Sequence, residues 1–257
     1  MADLAGKTAI VTGASRKKGI GAAICRELAK SGCDLFFTYW TAYDKEMPWG
    51  AESNEPEQLK NELVQEGVTV DCMELDLANL EAPETLFNRV IEKVGYPDIL
   101  INNAAYSTNT DFSNLTLSEL DKHYLINVRA TTLLSVQFAR VFKKKRGGRI
   151  VNLTSGQFQG PMPGELAYAT TKGAVDAMTI TLSAELASLG ITVNAINPGP
   201  TDTGWMTNEI KNELLSKFPL GRIGQPTDAA KVVKFLVSDE ADWITGQTIH
   251  SEGGFMR

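Results

Sequence analysis

The chain of 257 residues carries 31 Asp and Glu against 25 Lys and Arg, a net charge of -6, with 43% apolar side chains, which excludes intrinsic disorder and argues against a nucleic-acid partner. Its three cysteines, Cys25, Cys33 and Cys72, form no CxxC pair, so neither a disulfide framework nor a metal site is expected and the setting is read as the reducing cytoplasm. The start of the chain has an acid at Asp3 and no apolar leader, and no run of 18 apolar residues occurs, so the expectation is a protein neither exported nor membrane-spanning.

Short β-branched runs alternate with longer stretches of helical periodicity. The pattern predicts an α/β fold: a single Rossmann-type domain over 1–257 whose doubly wound sheet has about seven parallel strands with helices on both faces. In chain order the spacing predicts a strand over Lys7 to Thr12, a helix over Ile20 to Ser31, a strand over Asp34 to Tyr39 and a helix over Pro56 to Glu66. A strand follows over Val68 to Glu74, a helix over Ala82 to Val94, a strand over Asp98 to Asn102 and a long helix over Ser118 to Phe142. The remainder reads as a strand over Arg149 to Thr154, a second long helix over Glu165 to Leu189, a strand over Thr192 to Asn197, helices over Thr207 to Lys217 and Thr227 to Val237, and a last strand over Gln247 to His250. Gly32, Gly67, Gly95 and Gly190 stand where helices must stop in a left-handed residue, and Thr116 with Glu119 predicts a capping box. Right-handed crossovers leave all strand C-termini on one edge, where ligands bind in such sheets. The residues just after the first, fourth, fifth and sixth strands are therefore the candidates for chemistry.

After the first strand come Gly13, Ala14, Ser15, Arg16, Lys17, Lys18, Gly19, Ile20 and Gly21, leading into a helix. Glycines permit a tight turn and close backbone approach, and a helix N-terminus offers free N–H groups to a pyrophosphate. Tyr168 and Lys172 lie at i and i+4, so a helix sets phenol and ammonium side by side. A unit charge about 4 Å away at an effective dielectric near 20 is worth roughly 4 kcal/mol, enough to lower a phenol's pKa by two to three units. Ser155, at the end of the fifth strand, stands 13 residues before Tyr168. A hydroxyl beside a phenol suits donation to a carbonyl oxygen gaining negative charge. A hydrolase would need a base for the serine, but the setting is not a G-x-S-x-G elbow, and the two histidines, His123 and His250, fall in a helix and near the C-terminus.

On these residues the chain resembles the short-chain dehydrogenase/reductase family from Lys7 to Gly253-Gly254. The resemblance implies that Asn127, Ser155, Tyr168 and Lys172 are the catalytic set, Asn127 holding a water in the proton relay and Lys172 also bonding the nicotinamide ribose. It implies that the glycine loop binds NAD(P), that Asp76 and Leu77 contact adenine, that Asn103, Ala104 and Ala105 lie along the cofactor, and that Pro198, Gly199, Thr201 and Thr203 reach the carboxamide. The expected reaction is hydride transfer to a carbonyl carbon while Tyr168 protonates the oxygen, Ser155 polarises it and Lys172 keeps the phenol acidic.

The second strand ends Tyr39-Trp40 with no acid before Asp44, whereas the loop supplies Arg16, Lys17 and Lys18, so NADPH is preferred over NADH, with Arg16 the leading partner of a 2′-phosphate. The aromatic connection from Tyr39 to Asn54 is read either as a loop packed on its own domain or a neighbouring subunit, or as a cover over the adenosine end. Gln157, Phe158, Met162, Trp205 and Met206 are expected to line an apolar substrate side suited to a ketone or acyl thioester. General resemblance is to 3-oxoacyl carrier-protein reductases, whose acidic carrier protein would meet Arg129 and Lys122; the Lys143 to Arg146 run lies at the opposite edge. The long helices imply a homo-oligomer, dimer or tetramer, although Leu133, Leu134, Val136 and Phe138 could equally face the sheet. A secondary alcohol or sugar dehydrogenase, and a non-catalytic cofactor sensor, are the alternatives.

Overall fold

The computed structural model describes residues 3–52 and 54–257; Met1, Ala2 and Ser53, which falls in the aromatic connection, lie outside the described residues. Seven strands, β1 (Thr8–Val11), β2 (Asp34–Tyr39), β3 (Val70–Glu74), β4 (Ile99–Asn102), β5 (Gly148–Leu153), β6 (Ile191–Asn197) and β7 (Thr248–His250), form one sheet in the order β3-β2-β1-β4-β5-β6-β7. Every pair is parallel. The order reverses between β1 and β4, and the loops leaving those two strands diverge around a crevice.

Successive strand residues point to opposite faces, and both faces are covered by helices, so β1 and β4 read as continuous apolar runs. Ala9, Val11, Ile99 and Ile101 pack under α1 (Ile20–Ala29), α3 (Glu55–Val64) and α9 (Pro226–Val237). Ile10, Phe36, Leu100 and Ile150 pack on the other side under α4 (Ala82–Lys93), α6 (Thr131–Val141) and α7 (Leu166–Leu186). Leu134 and Phe138 belong to this second core, whereas Leu133 on the same helix is exposed. The remaining helices are α2 (Thr41–Glu46), α5 (Leu117–His123) and α8 (Asn208–Leu215). No described helix is long and apolar enough to cross a membrane.

Three expectations need correction. The helix expected over Ser118 to Phe142 is not continuous: between α5 and α6 runs a π-helical turn, Tyr124–Ala130, whose wider winding brings Asn127 into the interior. The aromatic connection is not merely a loop, because α2 folds within it. The Thr116 capping box is half made: Thr116 accepts from the Glu119 amide at 3.2 Å, but the Glu119 carboxylate turns instead to Thr108, Tyr106 and Lys122.

The four helix-ending glycines all have positive φ. Gly190 is the most constrained: at φ 70°, a Cβ there would lie 2.4 Å from the Arg146 Cα, and its carbonyl accepts from the amides of Gly147 and Gly148 at the entrance to β5. Gly190→Ala therefore combines left-handed strain with a backbone clash. We expect a loss of about 3 kcal/mol and a Tm lower by roughly 6–12 °C, measured by circular dichroism during heating.

Candidate active site

The end of β1 is fastened to the end of β4. The Asn103 side-chain amide donates to the carbonyls of Thr12 and Gly13 at 2.8 and 2.9 Å, and the Thr12 hydroxyl accepts from the amides of Asn103 and Ala104. Gly13, at φ 75°, lies so close to Ala104 that a Cβ would come within 2.6 Å of its Cα, and a Cβ on Gly21 would meet Asn103 Nδ2 and the Gly13 carbonyl at 2.7 Å. These contacts set the start of α1 beside the crevice. That helix opens on Gly19 with no side-chain cap and no acid in its first turn, so its amides and dipole are suited to an anionic group such as a pyrophosphate. Ile20 is the first helical residue. Ser15 ties this loop to the end of β2 by accepting from the Trp40 amide at 3.1 Å. Tyr39 is half-buried and Trp40 exposed along the same corner. Asp76 and buried Leu77 follow β3, one Asp76 oxygen accepting from the Ala78 amide at 2.8 Å. These groups fit a dinucleotide.

Ser155 follows β5, and α7 brings Tyr168 opposite it, one turn before Lys172. Lys172 is buried and donates to the Leu153 carbonyl at 2.6 Å, with Nζ 5.5 Å from the centre of the Tyr168 ring. Burial lowers the ammonium to about 8, the nearby Asp176 carboxylate pulling the other way. The Tyr168 phenol does not show the expected acidification. Burial drives its pKa above the ordinary value, Glu165 and Tyr43 add to the rise, and only the hydrogen bond from Ser155 opposes it. The helix does set the two side chains together, but the ammonium donates to the strand carbonyl, and desolvation dominates the phenol.

Asn127 is buried, its side-chain oxygen accepting from the Tyr106 amide at 2.8 Å while Nδ2 donates to the Tyr106 carbonyl at 2.9 Å and the Thr171 hydroxyl at 3.0 Å. Both amide protons are thus committed to joining the loop after β4 to α7. The side chain thereby holds the walls of the site together.

After β6, the Gly199 amide donates to Asn197 Oδ1 at 2.9 Å, buried Thr201 bonds the Gly199 carbonyl, and the Thr203 carbonyl accepts from Arg16 Nη1 at 2.8 Å. Pro198 begins this turn, and Ala105 lies half-buried beyond Ala104. Of the three loop cations Arg16 turns inward, Lys17 reaches Gln58, and Lys18 is exposed near Gly204.

Residues missed by reading along the sequence are Tyr43, Asp44 and Asp176. The aromatic connection crosses the crevice: the Tyr43 hydroxyl donates to the Ser107 carbonyl at 3.0 Å and accepts from its amide at 3.3 Å, and the Tyr43 ring packs at 5.3 Å on Tyr106. It is packed on its own chain, and it reaches past the adenosine corner to the loop after β4. Asp176, one turn beyond Lys172, accepts from Thr248 at 3.0 Å and from Gln157, and burial raises its carboxyl. The acid at i+4 from the lysine was the available signal.

The expected substrate residues do not form one wall. Gln157 and Met162 line an open groove of about 600 Å³ with Phe112, Pro161 and Leu166. Phe158 projects outward, Trp205 is partly exposed with Nε1 on the Thr201 carbonyl, and Met206 is buried. Arg129, expected to meet an acidic carrier, is bonded to the Ala78 carbonyl, Lys122 pairs with Glu119 at 3.1 Å, and Lys144 pairs with Asp98 at the opposite edge. His123 is buried, with Nδ1 bonded to the Glu119 carbonyl.

A family model described as enoyl-(acyl carrier protein) reductase matches residues 13–256. The chain is 53% identical over 253 residues to the uncharacterized oxidoreductase YjdA of Bacillus subtilis (strain 168), covering 98% of this chain and 97% of that one. It is 34% identical over 251 residues to the 3-oxoacyl-(acyl-carrier-protein) reductase FabG of Staphylococcus epidermidis, covering 96% of this chain and 98% of that one. A solved short chain dehydrogenase from Burkholderia cenocepacia J2315, in complex with NADP, matches with a TM-score of 0.87 at 32% identity over 98% of each chain.

Replacing Asn127 by alanine leaves the Tyr106 amide and carbonyl without their side-chain partners. We expect a loss of about 2–4 kcal/mol in urea unfolding, together with faster hydrogen exchange at residues 106–108.

Proposed function

Because the chain belongs to the short-chain dehydrogenase/reductase family, we propose that it is an NADPH-dependent reductase that converts a ketone or 3-oxoacyl carbonyl to a secondary alcohol. The observation that carries this reading is the convergence of Ser155, Tyr168 and Lys172 after β5, on the same C-terminal sheet edge from which the loop to the uncapped start of α1 leaves. NADPH, when bound, supplies the hydride. Ser155 donates to the carbonyl oxygen and orients it. Tyr168 delivers its proton to that oxygen as negative charge gathers there; a phenol held above its ordinary pKa stays protonated through the neutral range, which suits reduction. Lys172 would hold the ribose and supply positive charge beside the phenol, while Asn127 and Thr171 keep the loop after β4 at a fixed distance from α7.

The cofactor reading draws on the NADP complex of the Burkholderia protein and on inward-turned Arg16. The substrate reading draws on the largely apolar groove lined by Phe112, Pro161, Met162 and Leu166, and on the FabG relative. Delivery by an acidic acyl carrier would fall to Lys122, which remains partly exposed. Exposed Leu117, Leu133 and Ile180 on α5, α6 and α7 support pairing with further copies into a dimer or tetramer.

A panel of acetoacetyl thioesters and simple, cyclic and sugar ketones with NADPH and NADH tests the activity; cofactor binding without turnover of any of them would favour a sensor. Tyr168→Phe should lose nearly all turnover while binding the cofactor as before, and a variant with the parental rate would remove Tyr168 from the mechanism. Lys172 is cationic below about 8 and neutral above it. Reductive kcat/KM should therefore fall as pH rises through that value; a profile flat up to the ordinary lysine pKa would exclude the ammonium from the rate.

A further inference from the structure

Counted along the chain, β2 ends without the acid that would discriminate against a 2′-phosphate. Through space, one is there. Helix α2 folds Asp44 back onto the glycine loop, where its side chain is 9% exposed and its carboxylate sits 2.9 Å from Arg16 Nε. The same oxygen accepts from Trp49 Nε1 at 2.9 Å, and the Trp49 ring lies 4.9 Å from the Arg16 guanidinium carbon. Arg16 is thus enclosed by Asp44, Trp49 and the Thr203 carbonyl. Ser15, its neighbour in the chain, is the residue bonded to the Trp40 amide at the end of β2. The cation best placed for a ribose phosphate is therefore already neutralised.

We propose that Asp44 is a selectivity residue for the cofactor, acting through Arg16. By offsetting the charge of that guanidinium, its carboxylate weakens the hold on a 2′-phosphate, so that the chain separates NADPH from NADH less sharply than Arg16, Lys17 and Lys18 imply. The proposal rests on the NADPH reading above and deepens it. The Thr203 carbonyl takes one N–H group of Arg16 and Asp44 meets the guanidinium as an ion pair, so donors remain for a phosphate and the carboxylate acts by charge and not by blocking the fork. Removing one negative charge from so enclosed a corner changes the affinity for a doubly charged phosphate by about tenfold, and changes the affinity for a bare ribose little.

The test is the ratio of dissociation constants for NADPH and NADH, read without turnover by calorimetry or by quenching of tryptophan fluorescence. Asp44→Asn keeps an oxygen for Trp49 and Arg16 while deleting the charge. It should shift the ratio about tenfold toward NADPH, with NADH affinity close to that of the parent. A purely structural role for Asp44 would weaken both cofactors together, and an unchanged ratio or a parallel loss overturns the proposal. Should Asp44→Asn not fold, Arg16→Gln reads the same charge from the other side: with Asp44 left unpaired, the ratio should move toward NADH by tenfold or more, and an unmoved ratio overturns the proposal equally. In Arg16→Gln/Asp44→Asn the effect of Asp44 should shrink, since its route runs through Arg16. If neither dinucleotide binds the parent protein, it is the redox reading that falls.

Discussion

Asn103 ties the site to the sheet. Its side chain reaches back across the switch point to two successive carbonyls of the glycine loop, Thr12 and Gly13, while Thr12 returns the connection to the amides of residues 103 and 104. A loop of glycines between a strand and a helix has many conformations, and ordering it costs entropy. Here the order is imposed by the fourth strand, aligned in parallel with the first. The direction of α1 and the approach of Ser15 to Trp40 build on that alignment.

A second set of ties works on the loop after β4. Asn127 holds the Tyr106 peptide unit from the π-helical turn, Tyr43 holds the backbone of Ser107 from the far side of the crevice, and Glu119 with His123 holds Thr108 from α5. Three consecutive residues are thus gripped by three separate elements. The effect is to give Tyr168 a fixed opposite wall, and burial behind that wall is the largest influence on both its phenol and the ammonium of Lys172.

Much of this was legible in the sequence because it is periodic or punctuated. Strands buried on both faces declare themselves as apolar runs, and Gly190 and its counterparts mark helix ends by a backbone requirement that no neighbour alters. Ser155 stands out because it follows a strand at the ligand edge, and Tyr168 because Lys172 follows it one helical turn on. What stayed hidden depends on contacts between distant segments. The π-helical winding at Asn127 answers to Tyr106 and Thr171, neither visible from the helical periodicity around it. Gln157 lines the open groove, but that its amide is also drawn to Asp176 on α7 depends on a segment 19 residues away. Asp44 lies beyond the end of β2 when counted along the chain, and the six residues of α2 carry no signature of the contact that brings it to Arg16.

The sheet order has a consequence for how such a chain comes off the ribosome. Strands β1, β2 and β3 can assemble early, but the inner edge of β1 finds its partner only when Ile99–Asn102 has been made, roughly 90 residues later. At synthesis rates of about 5–20 residues per second, that leaves an apolar strand edge unpaired for roughly 5 to 20 seconds. No hairpin can shorten the wait, since every adjacent pair is joined by a crossover. The crevice that serves the mature protein is, during its birth, the seam at which the nascent chain is most open to pairing with a stranger.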